Sequence, residues 1–515
     1  MIKTIEQAVK AHDKYQVEIK LDYQLLPGTK THYRISTYFF IPQSLGVNRH
    51  TYSKKMFYRD AQNYIRLKTP ALILRDFVEN PASPLLIIEA VTATENWAKG
   101  PECNARLLDS FKFLSAMLKS AIRDHFILIQ KRIAEAPPSS KINLMIHNLV
   151  EEFLVETQRI TDKYRSFYAI FNLPNVDEPI FTAYQLTDES ISLLIEEHAV
   201  ELFQIVGEYL KKGDKADFKH KLSRRVQSEF KHRKAHGYRS ILKEGDDNEE
   251  YTYRLSVLKR RASSILFLST SIRREGTALE QIVYAIAAGL SMIFATIVAF
   301  YFQYKFGNFT FPFFIALVVG YMFKDRIKES IRNIFSKYLL NALYDRRIVI
   351  KSLDGRHRLG ILKEKVSFVR EDDIPGAVLI ARNRDHITEL DNDGQGENII
   401  CYSKDIILFT DAFKQVFMDM PEITGINDIM RYDIRAYLNK MGVPVHERAY
   451  LDDGQLIPVL CHKVYHLNLV SQYTAVASQK EKVYKRSRLV LNQKGIKRVE
   501  IDVPVKTRLK QSIAG

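Results

Sequence analysis

Hydrophobic and polar residues alternate along two stretches near the start of the chain. From Tyr15 to Leu25 the apolar side chains occupy every second position, with polar or charged side chains between them. The same alternation returns from Tyr33 to Ile41, after the pair Pro27-Gly28. Successive side chains of a strand point to opposite faces, so each stretch predicts a half-buried strand. The segment between them predicts a turn that joins the two strands as a pair.

Three later stretches have apolar residues three or four positions apart, which is typical of amphipathic helices. The first begins near Leu107, the second covers Ile142–Ile160, and the third covers Leu194–Leu210. Thr187-Asp188 has the residue types of an N-terminal cap for the third helix. Residues 1–215 are therefore expected to form a cytosolic α+β domain, a small β-hairpin sheet merged with a helical bundle.

Two uncharged runs follow, over residues 282–302 and 306–323. At 1.5 Å per residue the first gives roughly 31 Å of helix, enough to cross a hydrocarbon core of about 30 Å. Thr277 and Glu280 match a capping box at its start. The second run is shorter and marginal as a span. Residues 276–340 are expected to form a transmembrane helical hairpin with a helical extension.

Basic residues flank this hairpin on both sides, and the intervening loop has one, Lys305. Because cytosolic flanks of membrane spans collect Lys and Arg, both ends of the hairpin are expected inside and the short loop outside. The expected localisation is the cell (inner) membrane, multi-pass, with both termini cytoplasmic and anionic lipid headgroups as partners. The residues expected at the membrane surface are Lys259, Arg260, Arg261, Arg273, Arg274, Lys324, Arg326 and Lys328.

Small residues recur four positions apart in both runs, at Ala285 and Gly289 and at Ala316 and Gly320. This spacing lets two helices approach closely in lipid, so these four residues are the expected helix-packing positions. The alternative is a hairpin buried in a large soluble core. It is disfavoured because a soluble helix is rarely apolar on every face for six turns.

Residues 216–275 are expected to form a basic helical connector. Between Lys219 and Arg274 there are fifteen Lys or Arg and six acidic residues, a net charge of +9. Three interpretations stay open: a positively charged cytosolic stalk, contact with anionic headgroups, or nucleic-acid binding. Nucleic acid is disfavoured because the segment has few aromatic side chains for base stacking.

Residues 341–515 are expected to form a cytosolic, mainly-β domain with one inserted helix. Strand patterns begin at Ile348–Ile350 and return in Val464–Val470 and Val483–Leu491. The helix is expected near Ile426–Met441, where apolar residues follow a helical period. The fold class as a whole is that of an α+β membrane protein.

Composition narrows the setting of the chain. At 515 residues, with 46% hydrophobic and 11% aromatic residues, it has ample material for folded cores. The net charge of +16 requires an anionic partner, either lipid or nucleic acid. Cys103, Cys401 and Cys461 are widely separated, which argues against a disulfide framework or a cysteine zinc site. The first residues lack a secretory signal, so the N-terminal domain is expected in the cytosol.

Motifs with known chemistry are sparse. The phosphate-binding patterns GxxxxGK[ST] and GxGxxG and the nucleophile pattern GxSxG are absent. A calcium-loop register over Glu389, Asp391 and Asp393 places Ile400 where a bidentate glutamate is required, which favours a simple polar turn. His232 and His236 lie one helical turn apart, but neighbouring cations favour a solvated basic face over a metal site.

Two further candidates are also better explained by structure than by chemistry. His462 and His466 would share one face of a strand about 13 Å apart, too far for one ion to bridge. Trp97, the one tryptophan, lies in a loop beside carboxylates, and packing is its expected role. No metal and no cofactor is expected, and no catalytic residue is identifiable.

Three hypotheses for function follow. The first is a membrane-anchored scaffold or sensor, in which transport would require a homo-oligomer because one hairpin lines no pore. The second is a membrane-associated enzyme with an unrecognised active site. The third is an effector that contacts nucleic acid through the basic connector.

Overall fold

The computed structural model describes residues 5–26, 28, 30–94, 97, 100–135, 140–209, 212–307, 310–382, 396–418, 422–475 and 482–501. The protein is a mixed α+β structure, 51% helical and 28% strand.

The chain divides into two compact units, each built from segments that are distant in sequence. We call the first the β unit; it consists of Met1–Ile65, Ser269–Ala412 and Asn427–Gly515. We call the second the helical unit; it consists of Arg66–Leu268 and Phe413–Ile426. This division differs from the four consecutive segments that the sequence pattern suggests, because early and late strands pair with each other.

The strands are β1 (Ile5–Ala11), β2 (Gln16–Gln24), β3 (Thr31–Pro42), β4 (Ala61–Leu67), β5 (Ser269–Arg274), β6 (Arg346–Lys351), β7 (Arg358–Val369), β8 (Glu397–Leu408), β9 (Gly425–Asp433), β10 (Val445–Asp452), β11 (Gln455–His462), β12 (Tyr465–Ala475), β13 (Lys482–Asn492) and β14 (Gly495–Ile501).

The helices are α1 (Lys54–Asp60), α2 (Asp76–Glu79), α3 (Pro84–Thr92), α4 (Pro101–Glu135), α5 (Ser140–Ser166), α6 (Tyr168–Phe171), α7 (Glu178–Tyr209), α8 (Lys212–Ala235), α9 (Glu249–Ser264), α10 (Thr277–Phe306), α11 (Phe311–Ala342), α12 (Gly376–Arg382), α13 (Thr410–Val416) and α14 (Arg435–Leu438).

Across the described residues the strands form three sheets. A four-stranded sheet has the order β1-β2-β9-β4, and an eight-stranded sheet has the order β14-β13-β12-β3-β8-β7-β6-β5. The third is the two-stranded hairpin β10-β11. In the eight-stranded sheet β3 pairs antiparallel with β8 on one side and with β12 on the other. Its centre therefore joins the start of the chain to segments near its end.

The two strands predicted near the N-terminus are present as β2 and β3, but the prediction that they pair with each other is wrong. β2 pairs with β1 in the four-stranded sheet, and β3 belongs to the eight-stranded sheet. Alternation determines which face of a strand is buried; it does not determine the partner strand. The two strands are local neighbours that contribute to different layers.

The core of the β unit lies between the two larger sheets. Val17 and Ile19 of β2 pack in one buried cluster with Phe39 of β3 and Leu469 of β12. The opposite face of the eight-stranded sheet is covered by α12, where Val378 joins a second cluster. The β unit thus has three layers: sheet, sheet and helix.

The helix predicted near Ile426–Met441 is wrong in type, although its apolar residues are buried. The structure has the strand β9 over Gly425–Asp433 and then the four-residue helix α14. Met430 and Ile434 are both buried, as a helical face would also require. The apolar residues of a short segment can fit both the helical and the strand period. Here the segment is a strand because β9 pairs within the four-stranded sheet.

Polar side chains are buried together in the core of the β unit. Lys404 of β8 donates to Asp428 of β9, with Nζ 2.6 Å from Oδ2, and their side chains are 3% and 0% exposed. On the neighbouring strand β7, Glu364 accepts from the Tyr402 hydroxyl at 2.6 Å and from the Asn63 amide at 2.7 Å. These interactions link both sheets through hydrogen bonds in a region that excludes water.

Two carboxyl groups and one ammonium group share this core. Burial raises the pKa of Glu364 above its ordinary value; the Lys404 charge and the Tyr402 hydrogen bond oppose the shift, and the Asp428 charge adds to it. Of the two carboxyl groups, Asp428 has the ion pair with Lys404. Glu364 lies beside that pair without a lysine of its own, which is consistent with the upward direction of its pKa shift.

The helical unit follows the periodicity of its sequence closely. α4 covers the first predicted helix and ends at Glu135, and α5 covers the second predicted helix. The third begins at Glu178, earlier than expected, so the prediction of a cap at Thr187-Asp188 is wrong. Asp188 lies inside α7 and is buried. Its carboxylate bonds side chains of other helices instead of backbone N–H groups.

An ion-pair network fills part of the interior of the helical unit. Arg165 of α5 contacts Asp188 at 3.0 Å and Glu229 of α8 at 2.6 Å. Arg225 also contacts Glu229, at 3.1 Å, and His232 Nε2 lies 2.6 Å from Asp188 Oδ2. Since both carboxylates are nearly or fully buried, each depends on these partners to stay charged.

A second set of buried pairs corrects the interpretation of residues 232–236 as a solvated basic face at Arg233, whereas Lys234 and His236 are exposed. Arg233 is 1% exposed and bonds Glu196, the Ser192 hydroxyl and the Ser240 carbonyl. Arg254 of α9 contacts the fully buried carboxylate of Glu189 at 2.6 Å. α7 carries these acids on its inward face, which a charge count along the connector could not show.

Candidate membrane-contacting hairpin

The helices α10 and α11 form a hairpin that is inserted between two paired strands. β5 ends at Arg274, three residues before α10 begins, and β6 begins at Arg346, soon after α11 ends. β5 and β6 are antiparallel neighbours in which Arg274 lies opposite Arg346. Both ends of the hairpin therefore leave the same end of one strand pair, so its two flanks lie on one side.

A glycine makes the turn from β5 into α10. Gly276 has φ +81°, a left-handed conformation that glycine adopts without a Cβ penalty. A Cβ on this residue would lie 2.5 Å from Cδ1 of Leu343, which follows α11. The adjacent Glu275 pairs with Lys363 of β7 at 2.7 Å. The base of the hairpin is thus fixed to the sheet by backbone geometry and by an ion pair.

α10 has an apolar surface that the described chain leaves uncovered. In its most apolar 18-residue part, 11% of the residues are buried. Ile286, Ile297 and Phe300 are 53%, 61% and 66% exposed. Among the described residues, α10 is the one helix long and apolar enough to cross a membrane, by length and composition.

α11 is apolar over a shorter length. Its uncharged part runs from Phe311, where the helix begins, to Phe323, which is thirteen residues or about 20 Å. Lys324 and the charged residues after it continue the same helix. Of the second predicted span, 306–323, Phe306 ends α10 and α11 begins at Phe311. Of the two crossings expected from the sequence, one has a helix of sufficient apolar length in the described residues.

Small residues lie where the two helices touch, but on α10 they are not the residues expected from the sequence. Ala316 and Gly320 of α11 are buried, and the Cβ position of Gly320 lies 3.2 Å from Cγ1 of Val298. On α10 the buried small residues are Ala287 and Ser291. The expected packing pair Ala285 and Gly289 is exposed instead, and a Cβ on Gly289 would meet nothing within 4 Å. The contact face of α10 is two residues later than expected.

Two contacts give the relative level of residues along the antiparallel helices. Gly320 lies beside Val298, and the Arg332 guanidinium lies 4.1 Å from the ring centroid of Tyr284. Lys324 is one turn beyond Gly320, so it is roughly level with residue 294, near the middle of α10. The zone in which both helices are apolar runs from that level to the tip and is about 20 Å deep.

A charged and aromatic cluster joins the lower halves of the two helices. The Tyr284 hydroxyl donates to Glu280 Oε1 at 2.8 Å, and Arg332 covers the Tyr284 ring. Arg274 Nη2 lies 3.6 Å from Glu280 Oε2. These contacts hold the start of α10 against the second half of α11.

Arginines face one another where the hairpin leaves the sheet. In the register of β5 and β6, Arg273 lies opposite Arg347 and Arg274 opposite Arg346. Like charges opposite each other on paired strands are unfavourable unless an anion or an aromatic ring compensates them. Arg346 lies 3.8 Å from the ring centroid of Tyr58, and Arg274 has the contact with Glu280, so two of the four arginines have a compensating partner. Sequence analysis missed Arg346 and Arg347 because they follow the end of the second uncharged run, Phe323, by more than twenty residues.

The other residues expected at the membrane surface lie in different surroundings. Lys324, Arg326 and Lys328 are on α11, and Arg326 pairs with Glu329 at 3.6 Å. Lys259 and Arg260 are exposed on α9, which belongs to the helical unit and not to the β unit that contains the hairpin base. Arg261, on the same helix, is half-buried, and burial lowers its pKa.

Three arginines of the connector form ion pairs inside the helical unit. Arg225, Arg233 and Arg254 contact Glu229, Glu196 and Glu189. These charges are directed at protein carboxylates, so they are unavailable as a continuous basic surface for phosphates. Nucleic-acid binding through the connector stays a prediction, with three fewer of its fifteen basic side chains available to phosphates.

The remaining sequence candidates do not form a site in the described residues. His462 ends β11 and His466 lies in β12, so they belong to different strands. The calcium-like loop at 389–393 lies outside the described residues. Trp97 packs edge-on against Phe171, with ring centroids 5.5 Å apart, as its packing role predicts. Within the part of the chain described, no three His, Cys, Asp or Glu side chains are grouped as metal ligands.

Comparisons with known proteins add no relative to this picture. No protein family, no curated protein and no solved structure matches the chain. The site must therefore be interpreted from its own geometry: an exposed apolar helix pair with arginines at its base.

Proposed function

We propose that this protein is a membrane-anchored scaffold or sensor, held in the bilayer by the hairpin α10–α11. The observation that carries the proposal is the uncovered apolar surface of α10, of whose most apolar part 11% is buried. A core helix of a soluble protein buries its apolar face, whereas a lipid-facing helix exposes it to acyl chains.

The hairpin inserts with its tip first. Tyr304 is 93% exposed near the tip, and Phe306 and Phe311, at the tip ends of the two helices, are also exposed. The shared apolar zone enters the hydrocarbon, and Lys324 and Arg326 lie at the headgroup level. Long basic side chains reach headgroups while their stems stay in apolar surroundings. Asp325 and Glu329 favour the same level, since a carboxylate in hydrocarbon is costly.

The arginines at the base support the same orientation. Arg273 and Arg274 on β5 and Arg346 and Arg347 on β6 are at the end of the sheet from which the hairpin leaves. Anionic lipid attracts basic residues near a surface, by about 1 kcal/mol each. Both flanks of the hairpin are on one side, and their positive charge supports the cytoplasmic side of a bacterial inner membrane for them. The homo-oligomer stays a separate prediction.

Membrane fractionation and cysteine labelling test this proposal. The full chain is expected in the membrane fraction and resistant to extraction with alkaline carbonate. Gln303→Cys, at the tip, is expected to react with a membrane-impermeant maleimide only from the far side, or to be protected by lipid on both sides. Cys461 is exposed in the β unit and is the internal reference for cytoplasmic accessibility. Recovery of the chain in the aqueous fraction, with a freely reactive tip cysteine, would refute the anchor.

A further inference from the structure

The helical unit contains a groove with a cavity of about 360 Å³ between α4, α7 and α9. This volume is within the range of small-molecule sites, about 300–1,000 Å³. The groove has an apolar floor and a basic side. The floor is formed by Leu193, Leu194, Leu255, Leu258 and Ala262.

Lys119 of α4 and Lys259 of α9 lie on the basic side of the groove. In the described residues neither ammonium group has an ion pair or a hydrogen bond. Glu197 is the acidic residue that lines the groove with them. Two lysines against one carboxylate leave an excess positive charge at an apolar surface.

The electrostatic surroundings of Lys119 show the same excess. Although Lys119 is partly open to solvent, desolvation lowers its pKa, and the nearby charge of Lys259 lowers it further. Arg123 and Arg66 act in the same direction, whereas Glu197 opposes them. A bound anion would replace lost hydration and screen this repulsion, which is the usual reason for an unpaired basic pair in a ligand site.

Small hydroxyl side chains complete the lining. Ser115 and Ser190 are buried at the groove, and Thr252 and Ser256 are exposed at its edge on α9. In the structure these four hydroxyls donate to the backbone carbonyls of Phe111, Leu186, Asn248 and Tyr253. A hydroxyl has one donor, so each would have to rotate away from its carbonyl to donate to a carboxylate or phosphate oxygen. A few polar groups above an apolar floor is the usual composition of a site for an organic ligand.

From this arrangement we propose that the groove binds an amphipathic organic anion, with a carboxylate or phosphate head between Lys119 and Lys259 and an alkyl body on Leu194, Leu255 and Leu258. The proposal concerns the helical unit alone and does not depend on the membrane anchor. It explains why Lys259 remains unpaired while Arg225, Arg233 and Arg254 of the same unit find acidic partners.

Site-resolved lysine modification tests the proposal on the full chain. The purified full chain, in phosphatidylcholine nanodiscs or, where it is recovered in the aqueous fraction, in buffer alone, is treated with an amine-reactive reagent, and peptides are quantified by mass spectrometry. Decanoate and decyl phosphate are the anionic probes. Decanol and decyltrimethylammonium are matched neutral and cationic probes of equal chain length, which correct for partitioning into lipid.

Both anionic probes are expected to slow modification of Lys119 and Lys259 at least three-fold. Lys234, exposed on α8, is the internal reference and is expected to be unaffected. Equal protection by decanol would show that charge is not recognised and would overturn the proposal. Equal protection by inorganic phosphate would show that the apolar floor is not used and would also overturn it.

Variants separate binding from folding. Ala262→Leu fills the apolar floor without changing a charge, and it is expected to abolish protection of Lys119. Lys259→Gln is expected to abolish protection of Lys119 as well, whereas Lys234→Gln is expected to leave it intact. Unchanged far-UV circular dichroism shows that a variant is folded. Full protection in a folded Ala262→Leu protein would refute the groove as the site.

Discussion

Lys404 and Asp428 form an ion pair between the two packed sheets of the β unit, with Nζ 2.6 Å from Oδ2 and both side chains almost completely buried. The pair connects β8 of the eight-stranded sheet to β9 of the four-stranded sheet. Tyr23 of β2 adds a longer hydrogen bond, 3.4 Å from its hydroxyl to Asp428 Oδ2. A charge is therefore enclosed where the sequence predicts only an apolar core.

Asp428→Asn is expected to destabilise the β unit by about 3–5 kcal/mol, because it leaves the Lys404 ammonium buried without a counter-charge. Urea denaturation measures the change in the free energy of unfolding, and hydrogen exchange in peptides of β8 shows that the loss is in the β unit. The double variant Lys404→Met with Asp428→Leu is the control, since it removes both charges. It is expected to recover most of the stability; if it is as unstable as the single variant, lost packing explains the effect and the ion pair does not.

Glu364→Gln is expected to have the opposite effect at neutral pH. Burial raises the pKa of Glu364, so the folded state retains a proton that the unfolded chain releases. The contribution of the Glu364 proton to the stability of the fold is complete below about pH 4.3, the pKa of glutamate in the unfolded chain. It is lost as the pH rises through the pKa of Glu364 in the folded state. Glutamine keeps an acceptor for Tyr402 and carries no charge.

The melting temperature of Glu364→Gln is therefore expected to exceed that of the wild type at pH 7 and to equal it near pH 4. Asn63 can still donate to the retained oxygen. Thermal unfolding at both pH values measures the difference. A destabilised variant at pH 7 would show that an ionised Glu364 is required in the fold.

The helical unit is expected to lose stability in acid. Burial alone would raise the pKa of Asp188, but the His232 hydrogen bond and the Arg165 charge outweigh it and leave the pKa lowered. Glu229 is lowered in the same way, with burial outweighed by Arg165. Carboxyl groups whose pKa is lowered on folding stabilise the protein at pH values above their unfolded pKa of about 4. This stability is lost as the pH falls through their pKa in the folded state.

Hydrogen exchange of α7 and α8 is therefore expected to accelerate below about pH 4 in the wild type. Arg165→Met is expected to destabilise the unit at pH 7 and to flatten this pH dependence. Lys221→Gln, which removes an exposed ion pair with Glu151, is the matched control and is expected to change little. An identical acid transition in Arg165→Met would contradict the assigned role of the network.

Gly276→Ala is expected to destabilise the base of the hairpin by about 1–3 kcal/mol, from strain at positive φ and from contact with Leu343. Gly245→Ala is the control for strain alone, because Gly245 has φ +79° and its Cβ would meet nothing within 4 Å. Leu343→Ala in the Gly276→Ala background is expected to recover the part of the destabilisation that exceeds the effect of Gly245→Ala. Proteolysis in the segment 274–277 measures the opening. Equal effects at both glycines would exclude the Leu343 contact.

The depth of the hairpin is measurable with brominated lipids. In a Trp97→Phe background, Phe300→Trp is expected to be quenched strongly, since it lies in the shared apolar zone near the tip. Phe335→Trp, half exposed beyond the charged part of α11, is expected to be quenched weakly. Equal quenching of the two would contradict the assignment of Lys324 and Arg326 to the headgroup level.

Sequence periodicity predicted the long helices and several strands of this protein because those signals are local. α4 and α5 repeat apolar residues at a helical period over many turns, and β2 and β3 alternate over whole strands. Pairing is not local. β3 pairs with β12, whose Val470 lies opposite Tyr38, and nothing near Tyr38 indicates so distant a partner.

Charge patterns misled for a related reason. Arg233 is in a basic run, and a count along the chain assigned it to a solvated face. Its carboxylate partner, Glu196, is on another helix and becomes a neighbour only when α7 and α8 pack together. Asp188 was assigned as a helix cap from its residue type, whereas its partners Arg165 and His232 come from other helices. The membrane hairpin can be predicted from the sequence because its signal is a local run of uncharged residues. The groove at Lys119 and Lys259 cannot, because its lining comes from three helices that are distant in sequence.

The position of β3 at the centre of the eight-stranded sheet has a consequence for biosynthesis. Both of its neighbours are made late: β8 begins at Glu397 and β12 at Tyr465, more than 350 residues after β3 ends at Pro42. At about 5–20 residues per second, a ribosome needs roughly 20 to 70 s to reach β8. During that time the apolar strand that contains Phe39 and Phe40 has an open edge, and the nascent chain needs protection by chaperones until translation is almost complete.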